Sequence, residues 1–173
     1  DEADYQRFLS YLNAPLGDRQ ARLELEKPNS DYSVVSQGFI EGRNHPKDVR
    51  ILADIFKNFR NFYHMNKAIQ IWTRGDFYIQ QLKEAGDAIH QEIRSGGASP
   101  EILKNLLEKI DAINLKLTGL EDDFSYTLGE ASRWLKYLLI RLMLLATLCF
   151  LFGGLMISFS ISFTNFTSTT LET

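Results

Sequence analysis

Apolar residues recur along this chain with a helical step, and they do so in separate blocks. In residues 2–27, Tyr5, Phe8, Leu9 and Leu12 form one stripe, and Leu16, Leu23 and Leu25 lie beyond Pro15, which should kink or divide a helix there. Pro28, Asn29, Ser30 and Asp31 make a turn, after which Val34, Val35, Phe39 and Ile40 carry the pattern to Gly42. Pro46 fits the first position of the next helix, where its missing N–H is no loss, with Asp48 facing the unpaired amides of the first turn. Ile51, Ile55, Phe59, Phe62, Ile69, Trp72, Ile79, Leu82, Ile89 and Ile93 keep the step until Ser95, Gly96, Gly97 and Ala98 interrupt it. Ser99, Pro100 and Glu101 then supply a capping hydroxyl, a first-position proline and a first-turn acid, which together mark a helix start.

Beyond Pro100 the spacing becomes strictly seven: Leu103, Leu106, Ile110, Ile113, Leu117, Leu120, Phe124, Thr127, Ala131, Trp134 and Leu138. These are the a and d positions of a heptad repeat, suited to a homodimer seam or to a transmission helix packed on its own bundle. The repeat runs without proline into Leu142–Phe163, 22 residues with no charge. As a helix that run spans about 33 Å, against a hydrocarbon core of about 30 Å, so it reads as a transmembrane helix in contact with membrane lipid. Arg133, Trp134, Lys136, Tyr137 and Arg141 sit at its mouth as an interfacial anchor. Within it, Gly153, Gly154, Ser158, Ser160 and Ser162 are small enough to permit close packing of membrane helices.

The membrane helix limits what can precede it. One unbroken helix from 46 to 94, folded back across residues 95–98, would carry Lys47, Asp48, Arg50, Asp54, Lys57 and Arg60 to membrane depth, each charge at the bilayer centre costing at least about 2.5 kcal/mol. A break is therefore expected at Thr73–Asp76, with Gly75 ending one helix and Asp76 capping the next. The expected fold is all-α: an up-and-down helical bundle over residues 1–132, an interfacial segment and transmembrane helix over 133–163, and the start of a linker over 164–173. Its soluble segments would be 2–27, 31 or 46 to 73, 76–94 and 99–132.

Composition narrows the function. The chain is 45% hydrophobic and 24% charged with a net charge of −3, but the first 132 residues hold 21 acids against 16 bases. Nucleic acid is thereby excluded as a partner, since phosphate binding needs a basic footprint. The single Cys149 allows no internal disulfide and no thiolate metal site. His45, His64 and His90 lack metal-ligand spacing, no phosphate loop occurs, and no catalytic or cofactor-binding constellation can be assembled. Glu121, Asp122 and Asp123 are consecutive, point in three directions on a helix, and read as a solvated face. The aromatic stretch from Phe56 to Tyr78 fills a bundle core, or else Trp72 and His64 with Arg60 and Arg74 line a small pocket for an anionic or aromatic solute.

The bundle pattern and long exit helix, with the stretches Gln37-Gly-Phe-Ile-Glu-Gly-Arg-Asn-His-Pro-Lys-Asp48 and Ile71-Trp-Thr-Arg-Gly-Asp76, resemble the extracytoplasmic sensory module and second membrane helix of bacterial transmembrane receptors. That group includes sensor histidine kinases, membrane diguanylate cyclases and chemoreceptors. The resemblance implies a location in the bacterial inner membrane with the bundle periplasmic or extracellular. It also implies a first membrane helix upstream of Asp1, an output domain downstream of Thr173, a small-molecule or protein stimulus, and no catalysis in this segment. The alternative from another class is a single-pass helical scaffold or interaction protein whose bundle is cytoplasmic.

Overall fold

The computed structural model describes residues 1–97 and 99–171, with side chains described for 1–97 and 99–161. Five helices follow in chain order: α1 Glu2–Leu25, α2 Tyr32–Glu41, α3 Val49–Phe59, α4 Tyr63–Arg94 and α5 Pro100–Leu171. They form an up-and-down bundle whose last helix carries the apolar stretch. The chain divides into two compact units, residues 1–129 and 130–173, and α5 is continuous through the boundary.

Asp1 caps α1 by accepting the Asp4 N–H at 2.9 Å. Pro15 does not divide this helix, contrary to the sequence expectation. Proline removes one backbone hydrogen bond, and α1 is held on both sides of that loss. On the N-terminal side, Tyr5 donates its hydroxyl to Asp87 at 2.8 Å and stacks on His90 with ring centroids 3.7 Å apart. On the C-terminal side, α1 crosses α2 glycine to glycine: a Cβ on Gly17 would lie 2.6 Å from the Gly38 carbonyl oxygen, and one on Gly38 would lie 2.7 Å from the Ala21 nitrogen. No side chain fits between two backbones that close.

The turn before α2 forms as its sequence predicts, with Asp31 accepting the Ser33 N–H at 2.8 Å and giving its own N–H to Glu24 at 2.9 Å. Pro46 does not open α3. The Asp48 N–H bonds back to the His45 carbonyl at 2.8 Å, which makes a turn of residues 45–48, and the helix starts at Val49 without a side-chain cap. From there Val49, Ala53 and Phe56 point inward and Arg50, Asp54 and Lys57 outward. Those three inward residues close a core with Ala21, Leu25, Val35 and Phe39, against which Leu52 and Ile69 pack.

The expected break at Thr73–Asp76 is absent, since α4 runs unbroken from Tyr63 to Arg94. The interruption falls instead at Arg60–Phe62, between α3 and α4. The membrane-depth argument required only that the charged residues up to Arg60 leave the line of α4, and a corner at 60–62 satisfies it. Gly75 keeps helical geometry, and Asp76 caps nothing because its carboxylate is taken by arginines of α1. The chain then reverses after Arg94, with Gly96 at φ +73°, a conformation glycine adopts without strain. At the start of α5 the Ser99 backbone carbonyl accepts the Leu103 N–H at 3.0 Å.

The heptad stripe of α5 faces the bundle of its own chain. Ile113 is 4% exposed and Thr127 fully buried, while Leu103, Leu106, Ile110, Leu117, Leu120 and Phe124 are half-buried and Leu115, off the stripe, is 74% exposed. In the second unit the apolar side chains up to Ile161 lie uncovered, so α5 is long and apolar enough to cross a membrane. Helix continues past Ser158 to Leu171, and the side chains of Ser162 and Phe163 lie outside the described residues. So do residues 172 and 173 at the end of the expected linker.

Candidate functional site

A cavity of about 300 Å³ opens between α1, α4 and α5. Helix α1 contributes Pro15 and Asp18, α4 contributes Ile71, Trp72, Gly75, Asp76 and Ile79, and α5 contributes Leu120, Glu121 and Phe124. Residues four apart share a helix face, so one stripe of α4 and one of α5 supply most of the wall. The Trp72 and Phe124 rings meet edge to face, their centroids 6.3 Å apart and planes at 64°.

The charged groups of this wall are carboxylates. Asp76 is ion-paired with Arg22 and reached by Arg19 Nε at 3.6 Å. Burial pushes its carboxyl above the usual range, opposed by the Arg22 and Arg19 charges. Arg22 is almost fully buried, donates a second bond to Glu26 at 2.8 Å, and lies over the Trp72 ring at 5.9 Å from its centroid. Asp18 accepts one hydrogen bond, from Asn44 Nδ2 at 2.8 Å. Burial drives the Asp18 carboxyl up to about 6, and the Asn44 bond offsets this only in part. Glu121 stands at the exposed edge. Among the described residues no group of three or more His, Cys, Asp or Glu side chains is placed to hold a metal ion. The arrangement offers a small solute two aromatic rings, aliphatic walls and carboxylate oxygens.

Of the four candidate ligand residues read from the sequence, only Trp72 lines this cavity. Arg74 is two residues further along α4, roughly 200° around the helix, and is exposed. His64 lies in the first turn of α4, about 12 Å along the axis from Trp72, with its ring edge-on to Tyr63 at 5.1 Å. Arg60 ends α3. The four do not converge, and the cavity wall carries carboxylates where a pocket for anions needs arginines.

Leu120 and Phe124, expected as seam residues, form the α5 wall of the cavity. The anchor residues Trp134 and Tyr137 are 47% and 62% exposed, and Lys136 and Arg141 are exposed with them. Sequence reasoning missed Asp18, Gly75, Asp76, Glu121 and Phe124 as cavity residues. The signal available was the one-turn spacing of Trp72 and Asp76 together with an acid beside the seam at Glu121, which also fits a core stripe with a solvated flank. The chain matches no protein-family model, no curated protein and no solved structure.

Proposed function

We propose that this chain is the input module of a bacterial inner-membrane receptor: a bundle that senses a solute outside the cytoplasm and passes a conformational signal along α5 to an output domain. The observation that carries the reading is the continuity of α5. One helix holds part of the cavity wall, Leu120, Glu121 and Phe124, and runs without interruption into the apolar stretch. A solute that prefers one packing of α1, α4 and α5 shifts the population of that packing, and a shift from 1:99 to 99:1 takes about 5.5 kcal/mol of differential affinity. The reading includes a homodimer, with output carried by domains beyond this sequence and no chemistry performed by the bundle.

The test is mechanical. In the complete gene expressed in its membrane, a Gly-Gly-Gly insertion after Ser132 should uncouple stimulus from output while the bundle stays folded. Stimulus-dependent output unchanged by the insertion would refute transmission through a continuous helix.

One observation favours a second reading. Arg133, Lys136 and Arg141 lie on the bundle side of the apolar run, and basic residues beside a membrane helix favour the cytoplasmic side. A cytoplasmic bundle would suit a membrane-anchored scaffold. Labelling a cysteine at exposed Ser10, in a Cys149→Ser background, with a membrane-impermeant maleimide separates the two: labelling from outside the inner membrane supports the receptor, and protection until the membrane is opened supports the scaffold.

A further inference from the structure

We propose that the cavity between α1, α4 and α5 binds a small organic cation, an amine or quaternary ammonium carrying an apolar body. The proposal rests on reading the chain as an input module and names the class of solute sensed.

Charge is the first observation. Asp76 is answered by Arg22 and Arg19, but among the described residues no ion pair forms to Asp18 or Glu121. The Asp18 carboxylate lies against Gly42 and accepts the Asn44 amide at 2.8 Å, and burial raises its carboxyl. A carboxylate drawn out of water without a counter-charge is unfavourable, and a cation entering beside it relieves that cost. An anion would meet the same carboxylates as repulsion, and a neutral solute would leave them uncompensated.

Aromatic geometry is the second. Trp72 and Phe124, packed edge to face, both line the cavity. Aromatic faces attract ammonium groups within about 6 Å of the ring centroid, tryptophan most strongly, and quaternary ammonium ligands are recognised in this way. Trp72 already receives one cation, Arg22, at 5.9 Å. The cavity of about 300 Å³ stands at the small end of ligand sites, so the ligand is compact.

Space at Gly75 is the third. Glycine inside a helix is unfavourable relative to alanine, and at Gly17 and Gly38 close backbone contact requires it. No such contact exists at Gly75: a Cβ there would meet nothing within 4 Å, although the residue lines the cavity beside Trp72 and Asp76. Helix packing does not call for glycine at this position, and a longer side chain here would reach into the cavity.

The experiment uses the full chain in nanodiscs of zwitterionic lipid. Benzyltrimethylammonium and phenethylamine are titrated by calorimetry and by Trp72 fluorescence in a Trp134→Phe background, with 3-phenylpropanol and 3-phenylpropionate as neutral and anionic controls of similar shape. Saturable binding of both cations is expected, at least tenfold tighter than either control. Asp18→Asn with Glu121→Gln should weaken it at least tenfold. Gly75→Leu should abolish it with helicity and thermal stability retained, which separates blocking from misfolding. Cation binding no tighter than that of the neutral control, or binding unaltered in both variants, overturns the proposal, as does a folded chain that no cation saturates. Saturable binding without any effect on cellular output overturns the input-module reading alone, and output that persists in a chain binding no cation overturns the ligand assignment alone.

Discussion

Three glycines in similar helical settings carry opposite energetic signs. Gly17→Ala and Gly38→Ala each drive a methyl group into backbone less than 3 Å away, so the α1–α2 crossing must open, with an expected loss of about 1–3 kcal/mol. Gly75→Ala meets open space and should gain up to about 1 kcal/mol from helix propensity. Thermal unfolding of the three variants, followed by helicity in detergent, checks both signs. The buried ion pair gives a second residue-scale prediction. Arg22→Ala leaves the desolvated Asp76 with only the more distant Arg19 and should cost up to about 3–5 kcal/mol, whereas the double change Arg22→Met with Asp76→Leu should recover most of that loss.

Asp18 adds a pH dependence whose sign follows from its raised carboxyl, about 6 in the fold against 3.8 for the ordinary group. Between those values the folded protein holds a proton that the unfolded chain has released, so stability falls as pH rises through the window and is flat on either side. Solvent around the half-exposed carboxyl reduces the effect to about 1 kcal/mol. Comparing wild type with Asp18→Asn from pH 4 upward should show that slope in the wild type and its loss in the variant.

At the scale of elements, the placement of α5 decides what its heptads do. Ile113 and Thr127 are buried in a single chain, so at these two positions the stripe already packs on its own bundle. In a Cys149→Ser background, Ile113→Cys should crosslink between copies no better than exposed Lys116→Cys. Gly153→Cys, in the uncovered apolar part of the same helix, should form dimers in membranes. Strong crosslinking at Ile113 would mean that the bundle opens to dimerise.

Periodicity, the proline start signal and the hydrocarbon-length run made the helical class, the α5 start and the long apolar stretch legible in the sequence. The unbroken course of α4 past Gly75 was not, because a glycine–aspartate pair is an end signal only if local bonds decide. Here Arg22 and Arg19, more than fifty residues earlier, take the aspartate. Pro15 misled for a related reason, since packing from α4 and α2 carries α1 across it. The cavity was hidden because Asp18, Trp72 and Phe124 belong to three helices whose lateral placement no one-dimensional pattern encodes.

For the whole molecule, two units on one chain imply two stabilities. Residues 1–129 depend on a small apolar core and on the buried Arg22–Asp76 ion pair, and urea weakens apolar burial by solvating apolar and peptide groups. A helix in lipid keeps its backbone hydrogen bonds because no competing water is present. A urea titration in nanodiscs should therefore lose helicity in one cooperative step for the bundle and retain a fraction belonging to the membrane helix. A single step to full loss would show that the apolar stretch is not embedded.

The position of Leu120, Glu121 and Phe124 just ahead of the apolar stretch also sets an order of birth. As the chain is synthesised, α1, α2 and α3 can close their shared core before α4 is finished, and the cavity has no third wall until residues 120–124 emerge. The next residues to appear are those of the apolar stretch. The cavity is thus completed just before the apolar stretch emerges, and a nascent chain stalled before Leu120 would have the α1–α3 core without the third wall of the cavity.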